Sequence, residues 1–178
     1  ETGVTIMKTA REIDSGDIIL IKTTPISDSD GTVALFDRLA VLGAEALIEA
    51  IEKIENGTVL QTPQEHDKAT FCKMLTKQDA VIDWSKSADE VSRVIRAFDY
   101  QGASTTIGGE FCKLFTPVVV EGQGEPGEII TIDEKIGLIV ACGEKAVKIN
   151  EILLPGGKKM NVKDCIRGRK IKEEFFGR

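Results

Sequence analysis

Two groups of residues have the types and the spacing to do chemistry. The first centres on Asp14, in the stretch AREIDSGDIILIK at 10 to 22, one position before Ser15-Gly16 and four before the apolar run IILI. A carboxylate at such a seam can accept a proton or hold a water, and it can equally support a turn, as Asp often does beside Gly. Sequence pattern alone favours the turn. The second group is the run GKKMNVKDCIRGRKIK. Across residues 158–172, Lys158, Lys159, Lys163, Arg167, Arg169, Lys170 and Lys172 stand against the single acid Asp164, a local charge of +6. Such a run suits an anionic partner such as RNA, by phosphate contact. In isolation it reads at least as well as the solvated end of a helix. Aromatic residues are few there, so base stacking is not indicated.

Other chemistry-bearing residues offer less. Cys72, Cys112, Cys142 and Cys165 are isolated, without a CxxC pair, and the one histidine, His66, lies in a polar stretch without ligand-spaced neighbours. No metal site is expected, and free thiols in a reducing compartment are the simpler reading. The glycine-rich pieces EGQGEPGE and PGGKK lack the strand–GxxxxGK[ST]–helix setting of a phosphate loop and read as loops of a β domain. Trp84, between Ile82 and an N-capping serine, reads as a packing anchor rather than a ligand-stacking residue.

The elements that must position these groups follow from periodicity. Residues 4–8 alternate as a strand does. The continuous run within 17–23 predicts a strand covered on both faces of a sheet, with residues 9–16 as the loop between the two. Leu35, Leu39, Leu42, Ala46, Ala50 and Ile54 recur at helical spacing and predict an amphipathic helix, entered at Asp30 or a neighbour and stopped by Asn56-Gly57. TVLQTPQEHDK is polar and unpatterned, as a linker is. SADEVSRVIRAF opens with a capping box, Ser87 with Glu90, and places Val91, Val94, Ile95 and Phe98 on one face. Beyond residue 103, TTI-GG-EFCKLF has a hairpin signature. With EIITI, GLIVA and AVKINEILL it makes about five strands, followed by a short helix after Asn161. A small closed barrel of OB type fits that count.

At 178 residues and 42% hydrophobic, the chain suits one full domain or two small ones with an ordinary core. No apolar run approaches the roughly 18 residues of a membrane span, and ETGVTIMK is no signal peptide, so a cytoplasmic setting is the default expectation. The chain opens at Glu1, immediately before a strand pattern, which leads us to expect a native segment upstream of it. The net charge of −6 hides an asymmetry: residues 1–85 hold 8 Lys/Arg against 15 Asp/Glu (−7), residues 86–178 hold 15 against 14 (+1).

Three stretches together, TGVTIMKTAREIDSGDIIL at 2 to 20, KQDAVIDWSKSADEVSRVIRAF at 77 to 98 and LLPGGKKMNVKDCIRGRKI at 153 to 171, resemble in order and spacing the methionyl-tRNA formyltransferases. The first is shared across folate-dependent formyltransferases; the other two are more particular to this family. The resemblance implies an α/β chain end followed by β structure. Residues 1–57 would be the last part of a Rossmann-type catalytic domain, 58–76 a linker, and 77–178 an OB-like domain. It also implies transfer of a formyl group from 10-formyltetrahydrofolate, without a metal, to the amino group of methionine on initiator tRNA, by a monomer.

On this resemblance Asp14 matches the catalytic aspartate, and Arg11, Glu12 and Ile13 match the segment lining the folate pterin. Lys158, Lys159, Arg167, Arg169 and Lys170 become contacts to the tRNA backbone. Two departures stand out. The family's catalytic Asn and His, upstream of the Asp, have no counterpart here, and His66 follows Asp14 and cannot be that histidine. Formyl transfer by this chain alone is therefore not expected. DYQGAS at 99 to 104 replaces the family's Pro- and Trp-containing turn. Two other readings share parts of the pattern: a formyltransferase acting on a sugar-nucleotide amine, against which the basic run argues, and a stand-alone RNA-binding module. A domain that packs onto a partner enzyme and binds nothing else is the plainest alternative.

Overall fold

A computed structural model of the chain describes residues 1–168, 171, 172 and 174–177. It divides into two compact units, Glu1–Met74 and Leu75–Arg178. The first contains an antiparallel pair, β1 (Thr2–Met7) and β2 (Ile18–Thr24), and a long helix, α1 (Thr32–Glu55). Gly3 and Gly43 allow close approaches: a Cβ on Gly3 would lie 2.3 Å from the Lys22 carbonyl oxygen, and one on Gly43 would touch Val4.

One expectation for this unit is modified. The run IILI is not covered on both faces: Ile21 is 53% exposed, because α1 covers one face of the pair and no described residue seals the other. β1 and β2 pair antiparallel, and such a pair by itself neither makes nor rules out the largely parallel sheet of a Rossmann-type domain. The helix is entered at Gly31, a neighbour of Asp30 as anticipated, and has no side-chain cap; the partners of Asp30 lie elsewhere. Its carboxylate accepts from the Ser27 amide (2.8 Å) and pairs with Arg38 (2.6 Å). At the other end Gly57 adopts φ 66°, the left-handed stop that Asn56-Gly57 predicted.

In the second unit, α2 (Ala88–Ala97) starts at the anticipated capping box. The Ser87 hydroxyl accepts from the Glu90 amide, and the Glu90 carboxylate accepts from the Ser87 amide. Five antiparallel strands follow, β3 (Ala103–Ile107), β4 (Glu110–Val120), β5 (Ile129–Asp133), β6 (Gly137–Ala141) and β7 (Ala146–Leu153). A short β8 (Met160–Asn161) pairs with β7 and leads into α3 (Val162–Arg167), capped by the Asn161 side chain. Gly108 and Gly109, both at positive φ, make the two-residue turn between β3 and β4.

The closed barrel is not found. The described sheet is an open path, β3-β4-β7-β6-β5, whose end strands do not pair with each other. Residues 174–177 hydrogen-bond to both ends instead: the Ile129 amide donates to the Glu174 carbonyl (2.7 Å) and the Gly177 amide to the Thr106 carbonyl (2.8 Å). The edges are thus covered by the C-terminal segment, a different solution to the same edge problem. Trp84 is the anchor its context predicts, 6% exposed. Its indole N–H donates to the Thr105 hydroxyl (3.0 Å), and its ring stacks on Phe176 with centroids 5.9 Å apart. After α2, Gly102 takes φ 81° in the DYQGAS turn, where a Cβ would meet the Phe115 ring at 2.4 Å. Only glycine fits there without a shift.

Candidate functional site

The loop joining β1 to β2, residues 8–17, is fixed at its base. The Lys8 amide donates to the Asp17 carbonyl (2.9 Å), and the register shifts by a bulge between Ile6 and Met7. Gly16 is buried where the strands converge, and a Cβ there would sit 1.7 Å from the Lys8 carbonyl oxygen, so no other residue fits. Within the loop the Ser15 hydroxyl donates to the Glu12 carbonyl (2.9 Å), and Asp14 adopts φ 55°, a left-handed conformation that Asp tolerates better than most residues.

This geometry brings the sequence-predicted loop residues together. Arg11, Glu12, Ile13 and Asp14 line a pocket of about 270 Å³, and Glu12, Ile13 and Asp14 also line a larger cleft of about 860 Å³. Asp14 is exposed and opens onto both, and the Ile13 side chain is 93% exposed at the rim. The far wall of the cleft is residues 64–66 and 68–71, where Lys68 is paired with Glu65. A hydrated carboxylate in such a cleft can accept a proton or orient a water. Among the described residues no group of three His, Cys, Asp or Glu could hold a metal ion.

Sequence reasoning passed over the far wall. His66 and Gln64 belong to the stretch read as an unpatterned linker, yet both line the cleft with Asp14. What carries them there is an isolated pairing, in which the Ile18 amide donates to the Thr62 carbonyl (2.8 Å) and the Thr62 amide to the Ile18 carbonyl (2.9 Å). One bridge leaves no periodicity in the sequence, so no signal was available.

The basic residues are dispersed over different partners. Lys158 is exposed on the β7–β8 turn and has no ion-pair partner among the described residues. Lys159 pairs with Glu151 (2.9 Å) and lies over the Phe115 ring, 4.4 Å from its centroid. Arg167, at the end of α3, contacts Asp164 (3.4 Å) and Glu134 (3.7 Å) in the β5–β6 turn. Arg169 and Lys170 lie outside the described residues. No helix of the described residues is long and apolar enough to cross a membrane.

With this geometry in hand, comparison with known proteins is specific. Residues 74–170 match the family described as formyl transferase, C-terminal domain. Methionyl-tRNA formyltransferase of Methylobacillus flagellatus is 41% identical over 173 residues, covering 96% of this chain and 56% of that protein. That of Pseudomonas fluorescens is 42% identical, covering 97% and 54%. The chain therefore spans about half the length of the curated relatives it matches. Among solved structures, HypX from Aquifex aeolicus in complex with tetrahydrofolic acid superposes with a TM-score of 0.69 at 24% identity, over 97% of this chain and 31% of that one. An N-formyltransferase from Helicobacter canadensis, in complex with folinic acid and dTDP-3-aminofucose, gives 0.66 at 20% identity, over 89% and 55%. At those identities the two structures speak for the fold alone. The sequence matches carry the assignment further: this chain belongs to the formyl transferase C-terminal domain family.

Proposed function

We propose that this chain forms part of a methionyl-tRNA formyltransferase, moving a formyl group from 10-formyltetrahydrofolate to the amino group of methionine on initiator tRNA. The observation that carries this reading is that Asp14 opens onto the 860 Å³ cleft in a chain 41% identical, across 96% of its length, to a protein of that name. The cleft volume lies within the range of about 300–1,000 Å³ usual for small-molecule sites. In this reading residues 1–57 complete a Rossmann-type catalytic domain, 58–76 link, and 77–178 form the tRNA-contacting domain. The protein works as a cytoplasmic monomer.

The chemistry gives each group a task. As the amine attacks the formyl carbon, nitrogen gains positive charge and the carbonyl oxygen negative charge. Asp14, directly or through a water, takes the proton that the nitrogen must lose. The tetrahedral intermediate then collapses, the bond from the formyl carbon to N10 of the folate breaks, and that proton passes to N10 as tetrahydrofolate leaves. The negative charge on the oxygen calls for hydrogen-bond donors aimed at it in the assembled site. Arg11, Glu12 and Ile13, on the same loop, would line the folate pterin. Lys158, Lys159, Arg167, Arg169 and Lys170 would contact tRNA phosphates. The basic run favours tRNA over a sugar-nucleotide acceptor, which offers only a diphosphate.

Filter binding of initiator methionyl-tRNA to the full chain at two salt concentrations tests the reading. Each phosphate contact removed by alanine should reduce the salt slope by about one unit. Lys158, which breaks no ion pair to reach a phosphate, should lose the most affinity on substitution. Lys159 and Arg167 must first leave Glu151 and Glu134. An unchanged slope in the Lys158→Ala and Arg169→Ala variants would remove the tRNA surface from the proposal.

A further inference from the structure

The carboxamide of Gln64 reaches across 48 to 50 residues of sequence to the Asp14 loop. Its Nε2 donates to the Asp14 carbonyl (2.8 Å) and to the Gly16 carbonyl (2.7 Å), with the Met7 sulfur 3.7 Å away. We propose that Gln64 is a positioning residue for Asp14, a clasp whose NH₂ group pins the backbone on both sides of Ser15 and so sets the carboxylate toward the cleft. The link to formyl transfer rests on the function proposed above; the clasp itself rests on geometry.

The chemistry of this contact is restrictive. Two carbonyl oxygens converge on one side-chain end, so both hydrogens of the amide are used and its orientation is forced: a flipped amide would face oxygen with oxygen. Gln64 is itself anchored two residues earlier by the Thr62–Ile18 pairing, so the clasp closes a ring of contacts rather than hanging from a mobile segment. It also acts where the loop most needs it. Asp14 is held at φ 55°, a conformation unfavourable for a non-glycine residue, and Gly16 is wedged against the Lys8 carbonyl. A contact that only filled space would need apolar bulk; this one needs two donors.

Hydrogen exchange of the backbone amides at 9–17, measured on the full chain, tests the clasp. Losing two hydrogen bonds to backbone acceptors should speed exchange of these amides about tenfold in Gln64→Ala, while the amides of α2 and β7 keep their rates and report that the chain is folded. Gln64→Glu has nearly the same shape but turns an anionic oxygen on two carbonyl oxygens. At pH 7 it should loosen the loop at least as much as alanine. After correction for intrinsic rates, the excess should shrink as pH falls through the carboxyl range near 4 to 5, where protonation of the introduced carboxyl regains one donor. Gln64→Ala should show no such recovery. Loop rates within twofold of wild type in Gln64→Ala, or identical pH behaviour in the two variants, would overturn the proposal. Titration with tetrahydrofolate separates this idea from the one it deepens. A wild-type chain that binds none removes the folate reading and leaves the clasp to be judged by exchange. Binding that Gln64→Ala leaves untouched removes the positioning role.

Discussion

The two units of this chain hold themselves together by different means. Among the described residues, Ala46 and Ala50 are the only buried hydrophobics in Glu1–Met74, whereas Phe36 is 74% exposed, Ile48 60%, Ile54 52% and Leu47 50%. The core cluster belongs to Leu75–Arg178, where Leu114, Leu138, Val140, Val147, Ile149 and Ile152 are fully buried. Besides Ala46 and Ala50, the first unit has only half-buried apolar contacts, such as Leu35, Leu39 and Leu42 of α1, and adds polar ones to them: Asp30 with Arg38, Glu49 with Lys22 and Lys53, and Gln64 with the Asp14 loop. The candidate site therefore sits on the part of the molecule with the least hydrophobic stabilisation, and the large closed core lies in the other part. Regions low in buried contacts open locally at little expense. A site there depends more on directional bonds, because fewer fully buried side chains surround it.

The largest effect expected is a cavity in the second unit. Ile149→Ala should destabilise it by about 2–5 kcal/mol, the range for truncating a fully buried aliphatic side chain, as read by urea denaturation followed through the buried Trp84. Leu47→Ala, on the exposed face of α1, should stay within about 0.5 kcal/mol by far-UV circular dichroism. Thiol labelling offers a second readout. Burial pushes the Cys112 and Cys142 thiols up to about 12, so neither offers thiolate or access at neutral pH, while Cys72 is exposed. In native protein one fast-reacting thiol is expected, and in Ile149→Ala the buried ones should begin to react. Equal losses from the two substitutions would mean that the face of α1 is covered after all, and the contrast would fail.

The same division governs what the sequence revealed. Features written by neighbours a few residues apart were legible: the Ser87–Glu90 capping box, the Gly108-Gly109 turn, the stop at Gly57, and the loop that gathers Arg11, Glu12, Ile13 and Asp14. Trp84 was legible as an anchor, but not its distant partners Thr105 and Phe176. Features made by single contacts over long separations were not. The Thr62–Ile18 bridge that brings Gln64 and His66 to the cleft leaves no pattern. Neither does the C-terminal segment that meets β3 and β5 where a barrel seam was expected. The continuous run IILI misled for a related reason: periodicity reports how apolar a strand is and not how many of its faces have a neighbour.

An intermediate effect should come from the capping box of α2, a helix start specified by local sequence. Ser87→Ala removes the cap of α2 and should lower the stability of the second unit by about 1 kcal/mol. Ser87→Asp, which keeps an acceptor, should restore most of it. If alanine and aspartate behave alike, the box is ornamental and the hydrophobic contacts of Val91 and Ile95 alone hold the helix.

The smallest effects belong to the ion pairs of the first unit, and acid is the way to find them. The Arg38 guanidinium, with the Ser27 amide, lowers the Asp30 carboxyl from its ordinary 3.8 to about 2; Lys53 and then Lys22 lower that of Glu49 from 4.5 to about 2. The folded state thus binds these protons less readily than the unfolded chain. Their contribution is complete above about pH 4.5 and drains away as pH falls toward 2. Exchange of the α1 amides should accelerate across that window before the β6 and β7 amides respond, and Asp30→Asn should flatten much of the early change. Because these groups are reached by solvent ions, 1 M salt should mute it further. Should α1 and β7 instead loosen together, at one pH and in both variants, the two units would be a single cooperative body and the polar fastening of the first would not be separable from the core of the second.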